Sequence, residues 1–472
     1  MHRFLVSAAH KSSGKTTVSV GLAAALARTG RRVQTFKKGP DYIDPMWLAA
    51  AGGRACRNLD FHLSTPEELR EEFARYATGA DICIVEGNKG LYDGLDLEGS
   101  NSNAALARTL GLPVVLVLDA RGMTRGIAPL ILGYQAFEPE LRIAGVILSR
   151  LGGSRHEAKL RAVVEHYTDV PVLGAVHEDA SLGIVERHLG LMPANEAGTA
   201  QARVAALADA VAGQVDLERL LALTQGEPLP AVPPLPSRAA GARSDRGVRI
   251  GVARDEAFGF YYADDFEAME RAGAALVPFS PLRDARPPEV DGVFIGGGFP
   301  EVFMAKLQAN VRMRNALRAA LESGLPAYAE CGGLMYLARS ITWRGETRHM
   351  VGAIPGDVVM HERPVGRGYV RIEETAAHPW GGGAGADVPA HEFHYSSIEN
   401  LPPGTRFAYR MARGHGADGV HDGIVCGNLL ANYSHLRSVG GRDWAGRFVD
   451  FVARCKTRAD AQPDPQPALT AG

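Results

Sequence analysis

A two-part α/β fold is predicted from three observations. Short continuous Val/Ile/Leu runs alternate with helix-length segments along the chain, the pattern of parallel strands buried on both faces of a doubly wound sheet. The first run passes straight into a glycine–lysine turn and a helical stretch, and the second half restarts the same alternation. Between the halves, from Leu223 to Gly247, lies LTQGEPLPAVPPLPSRAAGARSDRG, with five prolines and no apolar period. Such a stretch is an extended, semi-rigid spacer.

Taken in order, the first half opens with the apolar run Phe4 to Ala9 and the helical segment TTVSVGLAAALARTG. The strand-like runs DICIVEG, PVVLVLD and IAGVILS follow. The second half carries VRIGVARD, ALVPFS, GVFIGGG, PAYAECGG and IVCGNLLA. The expected division is therefore 1–222, spacer 223–247, 248–455, and a disordered tail 456–472 ending in ADAQPDPQPALTAG. Ligands of open α/β sheets sit at the carboxyl ends of strands, so the loops after these runs carry the information. No internal repeat is present.

Composition narrows the function classes. The 472 residues suit two or three domains, and 46% hydrophobic with 22% charged residues is a globular balance. A formal net charge of −2 supplies no field to recruit nucleic acid or an anionic membrane. The opening MHRFLVSAAHKSSGKTT turns polar too soon for a secretory leader, and no stretch approaches the roughly 20 apolar residues of a membrane span. Five scattered cysteines, none in a CxxC pair, indicate neither a disulfide framework nor a zinc ribbon. A cytoplasmic location is expected.

Chemistry is densest in two places. Ala9-His10-Lys11-Ser12-Ser13-Gly14-Lys15-Thr16 follows a strand and opens a helix, the context of a phosphate-binding loop, although Ala9 stands where the first glycine is usual. Backbone N–H groups from Ser13 to Thr17 would face phosphate, Lys15 would supply charge and Thr16 could ligate Mg²⁺. GPDYIDP adds Asp41, Tyr42 and Asp44, and EGNKGLYDG adds Glu86 and Asp93. Beside glycine and proline, Asp41 and Asp93 are also ordinary turn formers. Four carboxylates near a phosphate loop make chemical sense as a nucleotide–Mg²⁺ site.

In the second half, Tyr328-Ala329-Glu330-Cys331-Gly332-Gly333 lies between an apolar strand and an apolar helix. That is the form of a nucleophile elbow. The helix N-terminus favours a thiolate, and N–H groups of Gly332 and of the Gly296-Gly297-Gly298 loop could hold an oxyanion, with Gly298 the second donor. His435, in Asn432-Tyr433-Ser434-His435, is the expected base. Cys56, Cys83, Cys426 and Cys455 read as packing residues. His361, His391, His394 and His421 invite a metal site, but His391-Glu392-Phe393-His394 has the wrong spacing for HExxH and sits in strand-like sequence.

Together SSGKTT, GPDYIDP, EGNKGLYDG, ERHLGLMPA, VARDEAFGFYY, IGGGFPE, YAECGGLMYL, MVGAIPGDVVM and NYSHL resemble the cobyrinic acid a,c-diamide synthase family over nearly the whole chain. The resemblance implies a dethiobiotin-synthetase-like ATP domain joined to a class I glutamine amidotransferase domain. It implies that Cys331 attacks glutamine with His435 as base, and that ammonia travels internally to the first domain. There ATP would activate the a and c acetate carboxylates of a tetrapyrrole for amidation. By the same resemblance Asp41, Asp44 and Glu86 belong to the ATP–Mg²⁺ and phosphorylation region. Tyr42 and Asp93, with Asp44, handle substrate or intermediate. ATP, Mg²⁺ and L-glutamine are the implied small molecules, and a homodimer is left open.

Several positions depart from the family's usual residues. The phosphate loop has fewer glycines, Lys38 and Asn88-Lys89 replace apolar residues, and Ser149 stands where an asparagine would touch adenine. Two added lysines suggest a more anionic ring, which makes a siroheme or metal-sirohydrochlorin amidase the rival within the class. A P-loop partitioning or switch ATPase is the rival outside it, and a catalytically dead pigment-binding relative is a third. AECGG and NYSHL argue against both of these.

Overall fold

A computed structural model describes residues 1–179, 186–187, 190–195, 200–233, 247–381 and 383–461. The chain divides into two compact units, Met1–Leu235 and Pro236–Gly472.

The first unit is built on an all-parallel sheet of β1 (His2–Ala8), β2 (Val33–Lys38), β3 (Arg57–Leu59), β4 (Ile82–Glu86), β5 (Val114–Asp119), β6 (Ile143–Leu151) and β7 (Val172–His177). Their spatial order is β3-β2-β4-β1-β5-β6-β7. The crossovers carry α1 (Lys15–Arg28), α2 (Ile43–Gly52), α3 (Pro66–Ala77), α4 (Asn103–Leu110), α5 (Ile127–Phe137) and α6 (Ser154–Tyr167). The short pair β8 (Glu186–Arg187) and β9 (Gly190–Leu191), then α7 (Ala200–Gln214) and α8 (Leu217–Leu223), complete it. Side chains of β1 alternate between two cores: Phe4, Val6 and Ala8 join one, and Leu5 joins the other. Burial on both faces explains why the strands read as continuous apolar runs rather than alternating ones.

Residues 224–227 still belong to this unit. Gly226 N–H donates to Met1 O, and Arg3 Nη1 donates to Glu227 O. The proline-rich stretch is therefore anchored at its start by the N-terminal end of β1; residues 234–246 lie outside the described residues.

The second unit runs β10 (Val248–Ala253), β11 (Phe258–Phe260), α9 (Ala263–Arg271), β12 (Ala274–Phe279), β13 (Gly292–Ile295), β14 (Gly297–Gly298), α10 (Met304–Ala309), α11 (Val311–Glu322), β15 (Ala327–Glu330) and α12 (Gly332–Leu337). It continues with β16 (Ser340–Trp343), β17 (Glu346–His349), β18 (Asp357–Met360), β19 (Gly366–Glu374), β20 (Asp387–His394), β21 (Ser396–Glu399), β22 (Arg406–Arg413), β23 (His421–Cys426), β24 (Leu429–Asn432) and α13 (Trp444–Ala461). The large sheet is ordered β12-β10-β13-β15-β24-β23-β22-β19-β20. Its pairings are parallel from β12 to β24 and antiparallel beyond. A separate sheet, β17-β16-β18-β21, has no counterpart among the apolar runs of the sequence. Strands such as β19, GRGYVRIEE, bury residues in a broken pattern with polar side chains between. Half-solvated antiparallel strands of this kind do not show as apolar runs.

Helix α13 extends to Ala461, past the point where a disordered tail was expected. Lys456 Nζ donates to Gly247 O and Asp291 Oδ2, which holds that turn against the unit; residues 462–472 lie outside the described residues. Among the described residues no helix is long and apolar enough to cross a membrane.

Candidate functional site

The phosphate loop forms where β1 ends and α1 begins. Gly14 takes a left-handed φ of 88°, and a Cβ there would lie 2.7 Å from Ser149 Oγ, so both conformation and space require glycine. Ser149 donates to Ser13 O at 2.9 Å. The serine that stands where an asparagine would touch adenine thus braces the loop. Ala9, in place of the first glycine, accepts a hydrogen bond from Tyr134 Oη at 2.8 Å. Ser13 Oγ donates to His10 O. Thr16 and Thr17 lie half-buried in the first turn of α1, whose N–H groups have no intrahelical acceptor.

Lys15, buried, donates to Lys89 O at 2.9 Å. Burial, then the neighbouring Lys37, lowers its pKa. Thr16 Oγ1 donates to Glu86 Oε1 at 2.9 Å and reaches Asp44 Oδ2 at 3.4 Å. Lys37, which no sequence signal marked, binds these carboxylates together: Nζ is 2.5 Å from Asp44, 2.8 Å from Glu86 and 3.9 Å from Asp41. Burial disfavours its charge, yet the facing carboxylates hold its pKa well above the usual lysine value. The same packing drives the carboxylates apart. Burial, then the Asp44 charge, lifts Asp41 to about 7; Asp44, also buried, is held below the usual range by Lys37. Glu86 is pushed up by burial against the pull of Lys37.

Glu86 Oε2 is buried without a hydrogen-bond partner. An orphaned carboxylate oxygen beside the Thr16 hydroxyl fits a divalent cation that takes its remaining ligands from phosphate and water. Among the described residues no three His, Cys, Asp or Glu side chains converge as a self-sufficient metal site. Asp41 Oδ1 accepts the N–H groups of Ile43 and Asp44, so it also shapes the turn into α2. Tyr42 is buried at that turn. Asp93 is exposed and accepts Gly90 N–H at 2.9 Å. Of the two lysines thought to face an extra substrate carboxylate, Lys38 is buried, donates to Asn88 Oδ1 at 3.1 Å, and is lowered by burial to about 8. Lys89 is exposed at φ 42°.

In the second unit, β15 delivers Cys331 into a turn with φ 47° and ψ −102°. A non-glycine residue held there is strained backbone of the kind that presents a nucleophile. Its N–H donates to Asn432 O at 2.8 Å, fastening the turn to β24. A Cβ at Gly332 would lie 2.9 Å from Gly298 N, so the two expected oxyanion residues are in backbone contact. His435 is hydrogen-bonded to Cys331. Its ring stacks on His391 at 4.9 Å between centroids, and its Cε1 lies against Gly297. On the other side, Nδ1 is 3.2 Å from Glu330 Oε2. Burial would lower the His435 pKa, but its bonds to Cys331 and Glu330 and their charge raise it to about 10.

Glu330 and Lys37 are the residues the sequence reading did not single out. Glu330 lies inside the motif YAECGGLMYL and Lys37 two residues ahead of GPDYIDP, but a partner that defines each is distant in sequence. The histidines considered for zinc separate: His361 binds Ser397 Oγ, His421 faces Asp418, His394 stacks on Tyr433, and His391 stacks on His435. The flanking strand expected for His391 and His394 is β20. Burial raises the thiol pKa of Cys56, Cys83, Cys426 and Cys455, as suits packing residues.

Two family models match the chain. One is the CobQ/CobB/MinD/ParA nucleotide binding domain over residues 5–191; the other is the CobB/CobQ-like glutamine amidotransferase domain over residues 249–441. A cobyrinate a,c-diamide synthase of Magnetococcus marinus is 46% identical over 455 residues, covering 96% of each chain. One from Methanosarcina acetivorans is 42% identical, covering 98% of this chain and 97% of that one. Another, from Syntrophotalea carbinolica, is 41% identical across 95% of this chain and 98% of its own length.

Proposed function

The chain belongs to the cobyrinate a,c-diamide synthase family, and from that premise we propose that it hydrolyses glutamine and uses ATP to amidate the a and c acetate carboxylates of cobyrinate. The observation that carries the reading is Cys331 in a strained elbow, hydrogen-bonded to His435.

His435 takes the thiol proton, and Sγ attacks the side-chain amide carbon of glutamine. The resulting oxyanion faces the N–H groups of Gly298 and Gly332. Imidazolium returns its proton to the departing nitrogen, which leaves as ammonia, with a thioester on Cys331. His435 then deprotonates a water that attacks the thioester. Glutamate leaves and the thiol is restored.

In the first unit, loop N–H groups from Ser13 to Thr17 and the Lys15 ammonium hold the triphosphate. A substrate carboxylate oxygen attacks the γ-phosphorus and ADP departs, giving an acyl phosphate. Ammonia adds to the acyl carbon and phosphate leaves with the C–O electrons. Asp41, lifted to about 7 by burial and by Asp44, is suited to take the surplus proton. Lys37 pairs with Asp44 and Glu86 and holds them in place. A divalent cation carried with ATP would be held by Thr16 and Glu86, with Asp41 nearby, and would draw charge from the phosphates. Tyr42, Asp44 and Asp93 are the residues assigned to the tetrapyrrole or its activated intermediate.

The test supplies purified protein with ATP, magnesium, cobyrinic acid and glutamine labelled with nitrogen-15 in its amide. Mass spectrometry should find a product carrying two labelled amides. Unlabelled product, or amidation of sirohydrochlorin in preference to cobyrinic acid, contradicts the proposal.

A further inference from the structure

Glu330 ends β15 and Cys331 begins the turn, so two consecutive residues reach His435 from one backbone corner. Neither oxygen of the carboxylate is idle. Oε1 accepts Tyr328 Oη at 2.6 Å and Leu436 N–H at 3.0 Å. Those two bonds fix the carboxylate plane, and Oε2 is left 3.2 Å from His435 Nδ1. Glu330 and His435 are each 3% exposed, so solvent does not compete for the contact. Strand register adds a second constraint: Glu330 pairs with Asn432 across β15 and β24, and His435 follows just beyond that strand.

We propose that Glu330 is a positioning residue for glutamine hydrolysis, holding the proton on His435 Nδ1 so that Nε2 faces the Cys331 thiol as an acceptor. The assignment rests on the thiol reading above. An ionised carboxylate offers no proton, so the imidazole nitrogen facing it must carry one. The other nitrogen is then a lone pair, as a base for the thiol requires. When that nitrogen takes the proton, the imidazolium gains an ionic partner that is already in place. The nucleophile and the residue that orients its base thus share one turn, and strain at Cys331 sends the two side chains to different atoms of one ring.

Other titratable groups surround the pair. Cys331 faces His435 from the turn and His391 stacks on it from β20. Asp265, on α9, accepts Ser438 N–H and Trp444 Nε1–H, and burial, then the charge of Glu330, pushes its carboxyl well above the usual range. His391 gives the ring a face to rest on but no acceptor at Nδ1.

The experiment is the pH profile of glutamine hydrolysis for the full-length chain and for Glu330→Gln and Tyr328→Phe. Glutamine at 330 keeps the volume but can donate to Nδ1, which favours the wrong tautomer. The expected loss in kcat is about 10²- to 10⁴-fold with KM for glutamine little changed, and the acidic limb of kcat/KM moves to lower pH, because the carboxylate that raises the His435 pKa is gone. Tyr328→Phe frees one side of the carboxylate, so a smaller kcat loss in the same direction is expected; it carries the test if Glu330→Gln does not fold. Wild-type kcat in a folded variant, or a loss confined to KM with an unmoved profile, overturns the proposal. Hydrolysis surviving in Cys331→Ser would instead overturn the thiol reading, so the two failures are distinct.

Discussion

Lys37 and Glu86 are register partners across β2 and β4, and their side chains meet: Nζ lies 2.8 Å from Oε1, with both residues buried. A lysine in the sheet interior is tolerable because Asp44 and Glu86 both face it. Removing it strands two carboxylates, an outcome that costs about 3–5 kcal/mol for a buried pair. Lys37→Met should therefore be destabilised by that order in urea denaturation near pH 8. Stranded carboxylates have raised folded-state pKa values, so stability should recover as pH falls and they bind protons. A variant as stable as wild type near pH 8 would mean that the carboxylates do not depend on Lys37.

Lys38 gives the opposite sign. Burial lowers it to about 8, below the unfolded value of about 10.4, so its folded form resists the charge. The resulting cost is fully present below pH 8 and fades as pH rises through the interval between the two values. Lys38→Met should raise thermal stability near pH 7 and flatten its dependence between about pH 8 and 10. An unchanged slope would contradict the burial assigned to this amine.

Lys15→Ala should abolish amidation while glutamine hydrolysis at Cys331 stays measurable. Lys15 reaches Lys89 O beside the phosphate loop, whereas Cys331 belongs to the other unit. Amidation at the wild-type rate would overturn the phosphate-site assignment.

Chelation separates the same two halves. EDTA should stop ATP-dependent amidation, and magnesium should restore it, because the unpartnered Glu86 Oε2 and the Thr16 hydroxyl suit a cation delivered with ATP. Free glutamine hydrolysis, resting on thiol and imidazole, should be unaffected by either. Isothermal titration of the non-hydrolysable ATP analogue should show weaker binding without magnesium, and more so in wild type than in Glu86→Gln. Equal magnesium dependence in both would contradict the role given to Glu86.

How far the site could be read from sequence depended on whether its chemistry was local. The phosphate loop and the cysteine elbow each fit within one turn, so GKT after a strand and ECGG before a helix were enough to find them. Lys37 was harder: Phe36-Lys37-Lys38 lies in β2, and all three side chains are buried, so no polar-outward alternation shows which lysine meets the acids. Attention fell on Lys38, which departs from the usual residue, and its partner proves to be Asn88. Glu330 stood next to the nucleophile, but the residue that gives it meaning is 105 positions away. The antiparallel wing from β19 to β23 was invisible to a search for apolar runs, because its strands are solvated on one side.

Cys331→Ser tests the account most directly. Serine keeps the shape of the turn, but its hydroxyl is a far weaker nucleophile than a thiol activated by His435. Glutamine-driven amidation should fall by orders of magnitude in the soluble variant. Ammonium salt at high concentration and mildly alkaline pH should restore amide formation, since the synthetase half requires ammonia from any source. His435→Ala should behave alike. Glutamine-driven amidation persisting at the wild-type rate in Cys331→Ser would contradict the amidotransferase reading outright.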